Sequence, residues 1–276
     1  MFRKAIIFMI ISAMAFACMN IVVKSFLKFN VYQIVFFRSI GTLCFTLPFL
    51  LKQKISIYGN KQVLLVLRGV VGVTSMVLFF LSLKHLKMGS AVSIRYTSPI
   101  FATAFGVLLL GEKIKRIQWL FFTIAFSGVL VIKGFDIETD SIGVLYAILS
   151  AITAGLVYFI IRRIGDKDHP MVIVNWFMLI SACIGGLLSL NNWTQPSGFE
   201  WIWLFSLGVF GYVAQLFMTK ALQIEKLSQV APVKYIEVVF TMILGIIWFD
   251  ESYTIYGLLG ILLIITGLIL NIGKRG

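Results

Sequence analysis

Charge is what this sequence has least of. Only 13% of its 276 residues are charged, about half the roughly 25% of a soluble domain. Acid is scarcest, with 11 Asp and Glu against 24 Lys and Arg. With 60% hydrophobic residues and a mean hydropathy of +0.99, there is too little polar surface to cover a folded monomer in water, which excludes a soluble domain. Histidine and cysteine are also short. His85, His169, Cys18, Cys44 and Cys183 show no metal-ligand spacing, and neither a P-loop nor a nucleophile elbow is present. The expectation is no enzyme, no metal and no cofactor, with the cysteines buried and reduced inside apolar spans. A net charge of +13 would suit nucleic acid, but the basic residues sit mostly in short loops between apolar runs rather than on one soluble face, so nucleic acid is not an expected partner.

What is present is a series of long apolar runs. A spanning helix needs about 20 such residues, and the runs at 4–23, 32–51, 62–83, 89–110, 117–133, 141–161, 171–190, 201–221, 228–249 and 255–272 meet that rule. The expected fold is an all-α integral membrane protein with ten transmembrane helices. With the N-terminus inside, fifteen Lys and Arg fall on one face and only Lys24, Lys28, Lys84, Lys87 and Lys133 on the other, so both termini are expected in the cytoplasm.

The ten runs divide into two sets of five, 1–136 and 137–276. A shift of 139 residues aligns Arg95 with Lys234, Tyr96 with Tyr235, Glu112 with Glu251 and Gly128 with Gly267. The front of each half aligns more weakly at a shift of 138. An odd number of spans per copy turns the second copy upside down, and such inverted repeats build secondary transporters with a site near the midplane.

On Leu109-Leu110-Gly111-Glu112, its echo Phe249-Asp250-Glu251, the Phe36-Phe37-Arg38 of span two and the glycine-marked last spans, the chain resembles the ten-helix EamA-type transporters of the drug/metabolite transporter superfamily. The resemblance covers nearly the whole chain. It implies a basket of helices around a central cavity lined mainly by spans one, three, four, six, eight and nine, and it implies no single substrate.

Apart from lysines at the very ends of the runs, five charged residues lie inside them: Arg38, Arg68, Arg95, Lys234 and Glu237. At the bilayer centre each costs at least about 2.5–3.5 kcal/mol and needs a partner or a wet cavity. Arg38 and Arg68 stand near span ends, where snorkelling to the headgroups is an alternative. Lys234 and Glu237, three apart on one helix face, can neutralise each other. Arg95 has no acid at helical spacing, and a small, polar stripe of Pro99, Ala102, Thr103 and Gly106 shares its face, which makes it the first candidate for a pathway. Tyr96, Tyr235, Trp176 and Tyr212 offer rings for stacking. Pro99 and Pro232 mark helix breaks. Glu112 and Glu251, at opposite membrane edges, read as caps for the segments that follow them.

Four buried cations against one acid favour an anionic or zwitterionic metabolite, such as an amino acid, as the small-molecule substrate. The expectation is alternating-access export or exchange across a bacterial inner membrane, by a monomer or homodimer in the lipid bilayer. A coupling proton or an exchange substrate is the second partner. Two alternatives stay open: a cationic drug or toxin exporter centred on Glu237, and a membrane scaffold or receptor that does not transport.

Overall fold

The computed structural model describes residues 2–110, 116–135, 140–224 and 236–273. The helices are α1 Phe2–Ser25, α2 Val31–Lys52, α3 Gln62–His85, α4 Met88–Arg95, α5 Ser98–Leu110, α6 Arg116–Phe135, α7 Ser141–Ile164, α8 Pro170–Ser189, α9 Glu200–Ile224, α10 Ile236–Phe249 and α11 Ile255–Gly273. No strand occurs among the described residues. Among the described residues, seven segments are long and apolar enough to cross a membrane, one of them, Met88–Leu109, made of α4 and α5 together; Phe240–Phe249 and Ile255–Gly267 are shorter apolar helices.

Local chemistry sets the helix ends. Asn30 and Asp140 cap α2 and α7 by accepting from the N–H groups of Tyr32 (3.1 Å) and Ile142 (2.8 Å), which satisfies donors that have no partner inside the first turn. Pro170 opens α8, where its missing N–H costs nothing. Gly165, at φ +58°, ends α7 in a left-handed conformation that other residues adopt only under strain.

An apolar core is joined here by apolar residues on the outside and polar ones within. Leu108, Leu187, Ile202 and Ile247 stand out from the surface, whereas Ser12, Asn20, Thr42, Thr46, Ser75 and Ser150 are buried. Lipid gives apolar side chains no reason to hide, so helices in it associate through close packing and interhelical hydrogen bonds. Ser12 Oγ donates to the Ala214 carbonyl (2.8 Å), and Ser75 and Ser150 each donate to the other's carbonyl (3.1 and 2.9 Å). Cys44 and Cys183 are exposed and Cys18 is half-buried, which corrects the expectation of buried cysteines: an apolar thiol inside a span is as much at home facing lipid as facing protein.

The helix pairs fall into matched sets. Contacts of α1 with α9 have a counterpart in α7 with α3, those of α1 with α10 in α7 with α4 and α5, and those of α2 with α9 in α8 with α3. The pairs α2 with α8 and α6 with α11 each map onto themselves when the first five runs are exchanged for the second five. Where α2 crosses α9, Gly41 and Gly208 meet backbone to backbone; a Cβ on Gly41 would stand 2.8 Å from the Gly208 Cα. Because backbone cannot yield as a side chain can, Gly41→Ala should lower the thermal midpoint of the detergent-solubilised protein, with about 1–3 kcal/mol lost to overpacking. Gly198→Ala, where no atom lies within 4 Å, is the comparison for a strained turn without a clash. Equal midpoints for Gly41→Ala and the parent would contradict the close crossing.

Candidate functional site

Three arginines from three helices meet at one cavity. Arg38 of α2 and Arg68 of α3 are 2% and 1% exposed, and Arg95 ends α4 half-buried. Tyr158, Gln215 and Phe177 complete the polar and aromatic part of the wall, from α7, α9 and α8. The space between atoms is about 440 Å³, of which about 30 Å³ is open to the centre of a water-sized sphere, room for about two waters. The cavity is therefore small. Arg38 and Arg68 do not snorkel: both side chains are buried among helices, and the long reach that allows snorkelling brings the guanidinium groups inward instead.

Each guanidinium lies against an aromatic ring: Arg95 over Phe79 (4.1 Å to the centroid), Arg68 over Phe177 (4.2 Å) and Arg38 over Phe80 (5.9 Å). Arg38 Nη1 also contacts the Met76 sulfur, and Arg68 Nη2 donates to Gln215 Oε1 (3.1 Å). The remaining donors, Arg38 Nε and Nη2 and Arg68 Nε and Nη1, find no acceptor among the described residues. No Asp or Glu among the described residues lines the cavity. A cation–π contact contributes about 0.5–2 kcal/mol, whereas burying an ion costs several kcal/mol even after relaxation. Desolvation wins, and the groups described around the arginines do not offset it.

A helix break positions Arg95. α4 stops there and α5 starts at Ser98. Proline at 99 has no N–H for the residue 95 carbonyl and disfavours helical geometry in the residue before it. Tyr96 and Thr97 form a tight turn in which Thr97 N–H and Oγ1 both donate to the Ile94 carbonyl (3.0 and 2.8 Å). The break corrects the idea of one continuous stripe running from Arg95 through Ala102: Ala102 belongs to a second helix and packs against Gly155 of α7. The side chains of Pro99 and Thr103 lie outside the described residues, as do Lys234, Tyr235, Pro232 and Glu112.

Two of the described acids are buried, Asp168 and Glu237. Glu237, in the first turn of α10, accepts from the Tyr96 hydroxyl and from Asn20 Nδ2 (3.2 Å), so its carboxylate joins α1, the α4–α5 turn and α10 and is not part of the cavity wall. Tyr96 thus serves Glu237 and is not a cavity residue. Trp176 donates to the Ile57 carbonyl (2.9 Å) and Tyr212 stacks on Phe45 (5.3 Å), both away from the cavity.

Glu251 is a cap, but of a different helix from the one expected. Its carboxylate accepts from Met88 N–H (2.9 and 3.0 Å) at the start of α4 and from the Tyr253 hydroxyl (2.6 Å), and it pairs with Lys24 at the end of α1. Lys24 also donates to the Leu86 carbonyl (3.1 Å). The positive end of α4 attracts the carboxylate more strongly than the chain that follows it. Beside this knot opens a vestibule bordered by Lys24, Lys84, His85, Lys87 and Glu251.

Reasoning from ionisable groups alone misses Gln215, Tyr158 and Asn20. A Gln and an Asn inside apolar spans are the signal that would have found two of them. Glu237→Ala removes the acceptor that Tyr96 and Asn20 share and should lower the thermal midpoint by the equivalent of about 1–3 kcal/mol, with Glu237→Gln costing less. An unchanged midpoint in the alanine variant would show that the cluster holds nothing together.

Set beside known proteins, the chain matches the model of the EamA-like transporter family twice, over residues 3–134 and 141–273. It is 29% identical to the pseudopaline exporter CntI of Pseudomonas aeruginosa, over 99% of this chain and 98% of that protein. It is 29% identical to human solute carrier family 35 member G1, over 96% and 76%, and 24% identical to the S-adenosylmethionine uptake transporter of Rickettsia prowazekii, over 81% and 76%. A solved crystal structure with 16% identity superposes with a TM-score of 0.74 over 99% of this chain and 98% of its own, which shows the shared fold.

Proposed function

The chain belongs to the EamA-like transporter family, whose matched relatives are membrane transporters and not enzymes, and within it we propose a secondary transporter that moves a small anionic or zwitterionic metabolite, such as an amino acid, by alternating access. The observation that carries this is the cavity itself: three arginines on its wall and no carboxylate among its described residues. An acidic group on a substrate supplies what the cavity wall lacks. The bond arrangement around Glu237 weighs against a cationic substrate, since that carboxylate is engaged by Tyr96 and Asn20 and is not on the cavity wall.

The architecture we read is ten spans in two inverted five-helix repeats, 1–136 and 137–276. The double match of the family model and the helix contacts that survive exchange of the halves both support it. Both termini lie in the cytoplasm on the distribution of Lys and Arg. In that orientation the Lys24–Glu251 knot stands at the outer end of the bundle. Export or exchange is the direction we favour, in keeping with the exporter that matches this chain almost end to end. With no P-loop in the sequence, the driving force we favour is a gradient, of protons or of an exchange substrate.

Counterflow in proteoliposomes tests the reading. Amino acids and organic anions, supplied as labelled substrates, should accumulate with the parent protein, and Arg95→Ala should reduce the initial rate about tenfold or more, the equivalent of about 1.4 kcal/mol, while the thermal midpoint stays near that of the parent. Accumulation of tetraphenylphosphonium instead, lost in Glu237→Gln and kept in Arg95→Ala, would overturn the anionic substrate.

A further inference from the structure

Resting on the reading of the cavity as an anion site, we propose that its ligand carries two separate acidic groups, one bound by Arg38 and the other by Arg68. The two arginines come from different helices and from positions that the internal repeat does not relate. Their surroundings, however, are related by it. Arg38 Nε lies against Gly211, where a Cβ would stand 3.0 Å away, and Arg68 Nη1 lies against Gly72, where a Cβ would collide with it. Gly72 and Gly211 are 139 residues apart, the interval that relates Arg95 to Lys234.

The same interval relates the groups that hold each guanidinium by its third nitrogen. Met76 takes Nη1 of Arg38, and Gln215 takes Nη2 of Arg68. Each guanidinium therefore lies over a glycine of one half and is steadied by a neighbour from the other, with two N–H-bearing nitrogens left over. In Arg38 the leftover nitrogens are Nε and Nη2, which share one edge of the guanidinium and match the two oxygens of a carboxylate side by side. In Arg68 they are Nε and Nη1, on either side of the nitrogen bound to Gln215.

A ligand with one acidic group pairs one of these arginines and leaves the other buried with unmet donors, which is the costly arrangement. A ligand with two pairs both. Arg95, half-buried at the helix break, attracts any anion that enters and does not distinguish one acidic group from two.

Thermal stabilisation of the detergent-solubilised protein by dicarboxylates from malonate to pimelate, each set against its monoamide, reads this directly. At the best-fitting length the dicarboxylate should act at about tenfold lower concentration than its monoamide, as expected when a second carboxylate meets a second guanidinium. Arg38→Gln and Arg68→Gln should each bring that ratio close to one. Arg95→Gln should weaken both ligands alike and leave the ratio standing. Gly211→Ala, which crowds Arg38 without removing its charge, is the second route to the same loss if Arg38→Gln fails to fold. A ratio near one at every length in the parent protein, or stabilisation by inorganic phosphate with no response to any dicarboxylate, overturns the proposal. Equal stabilisation by dicarboxylate and monoamide overturns it while leaving the anionic transporter intact; stabilisation by cations alone brings both readings down.

Discussion

Taking a guanidinium out of water into the middle of a helical bundle costs several kcal/mol, and this protein does it around a single cavity with Arg38, Arg68 and Arg95. The aromatic faces of Phe79, Phe80 and Phe177 soften that cost without cancelling it. A cost carried by the folded protein and relieved by a ligand is the ordinary logic of a binding site. Much of the rest of the structure follows from keeping that charge in place. The break after Arg95 ends a helix at the cavity, Gly72 and Gly211 leave room for the two deepest guanidiniums, and Met76 and Gln215 hold them by one nitrogen each.

The described acids are placed where they do not quench the cavity. Glu237 joins α1, the α4–α5 turn and α10 through Asn20 and Tyr96, and Glu251 joins the end of α1 to the start of α4 through Lys24 and Met88. Both ties link the two halves of the chain, and both use a carboxylate where hydrogen bonds or a helix end stabilise it. Structural negative charge at the junctions and positive charge at the cavity is an arrangement that a transporter of anions can use.

The membrane class, the places of most helices and the family were legible because apolar run length and the interval of 139 residues survive in a single sequence. The buried arginines were legible as charges in the wrong solvent, and the structure brings Arg38, Arg68 and Arg95 to one wall. Three features were not legible. Periodicity does not say whether a proline kinks a helix or divides it, so the separation of Arg95 from Ala102 shows only in the folded chain. Run length does not say which face of a span meets lipid, so the exposure of Cys44 and Cys183 is invisible to it. A carboxylate after a helix looks like a cap for the next helix, whereas Glu251 reaches back 163 residues to Met88, a choice made by tertiary geometry. Gln215 escaped because neutral polar residues in a span carry less energetic contrast than charged ones.

The central claim is that the cavity between Arg38 and Arg68 is an anion site. The most direct measurement is anomalous diffraction from crystals grown with selenate, whose scattering marks where an anion of acidic-group size comes to rest. The account predicts a selenium peak about 3–4 Å from Arg38 Nε and Nη2, at hydrogen-bonding reach of the selenate oxygens. No selenium in the cavity, with rubidium from a parallel soak bound beside Glu237 instead, would contradict it.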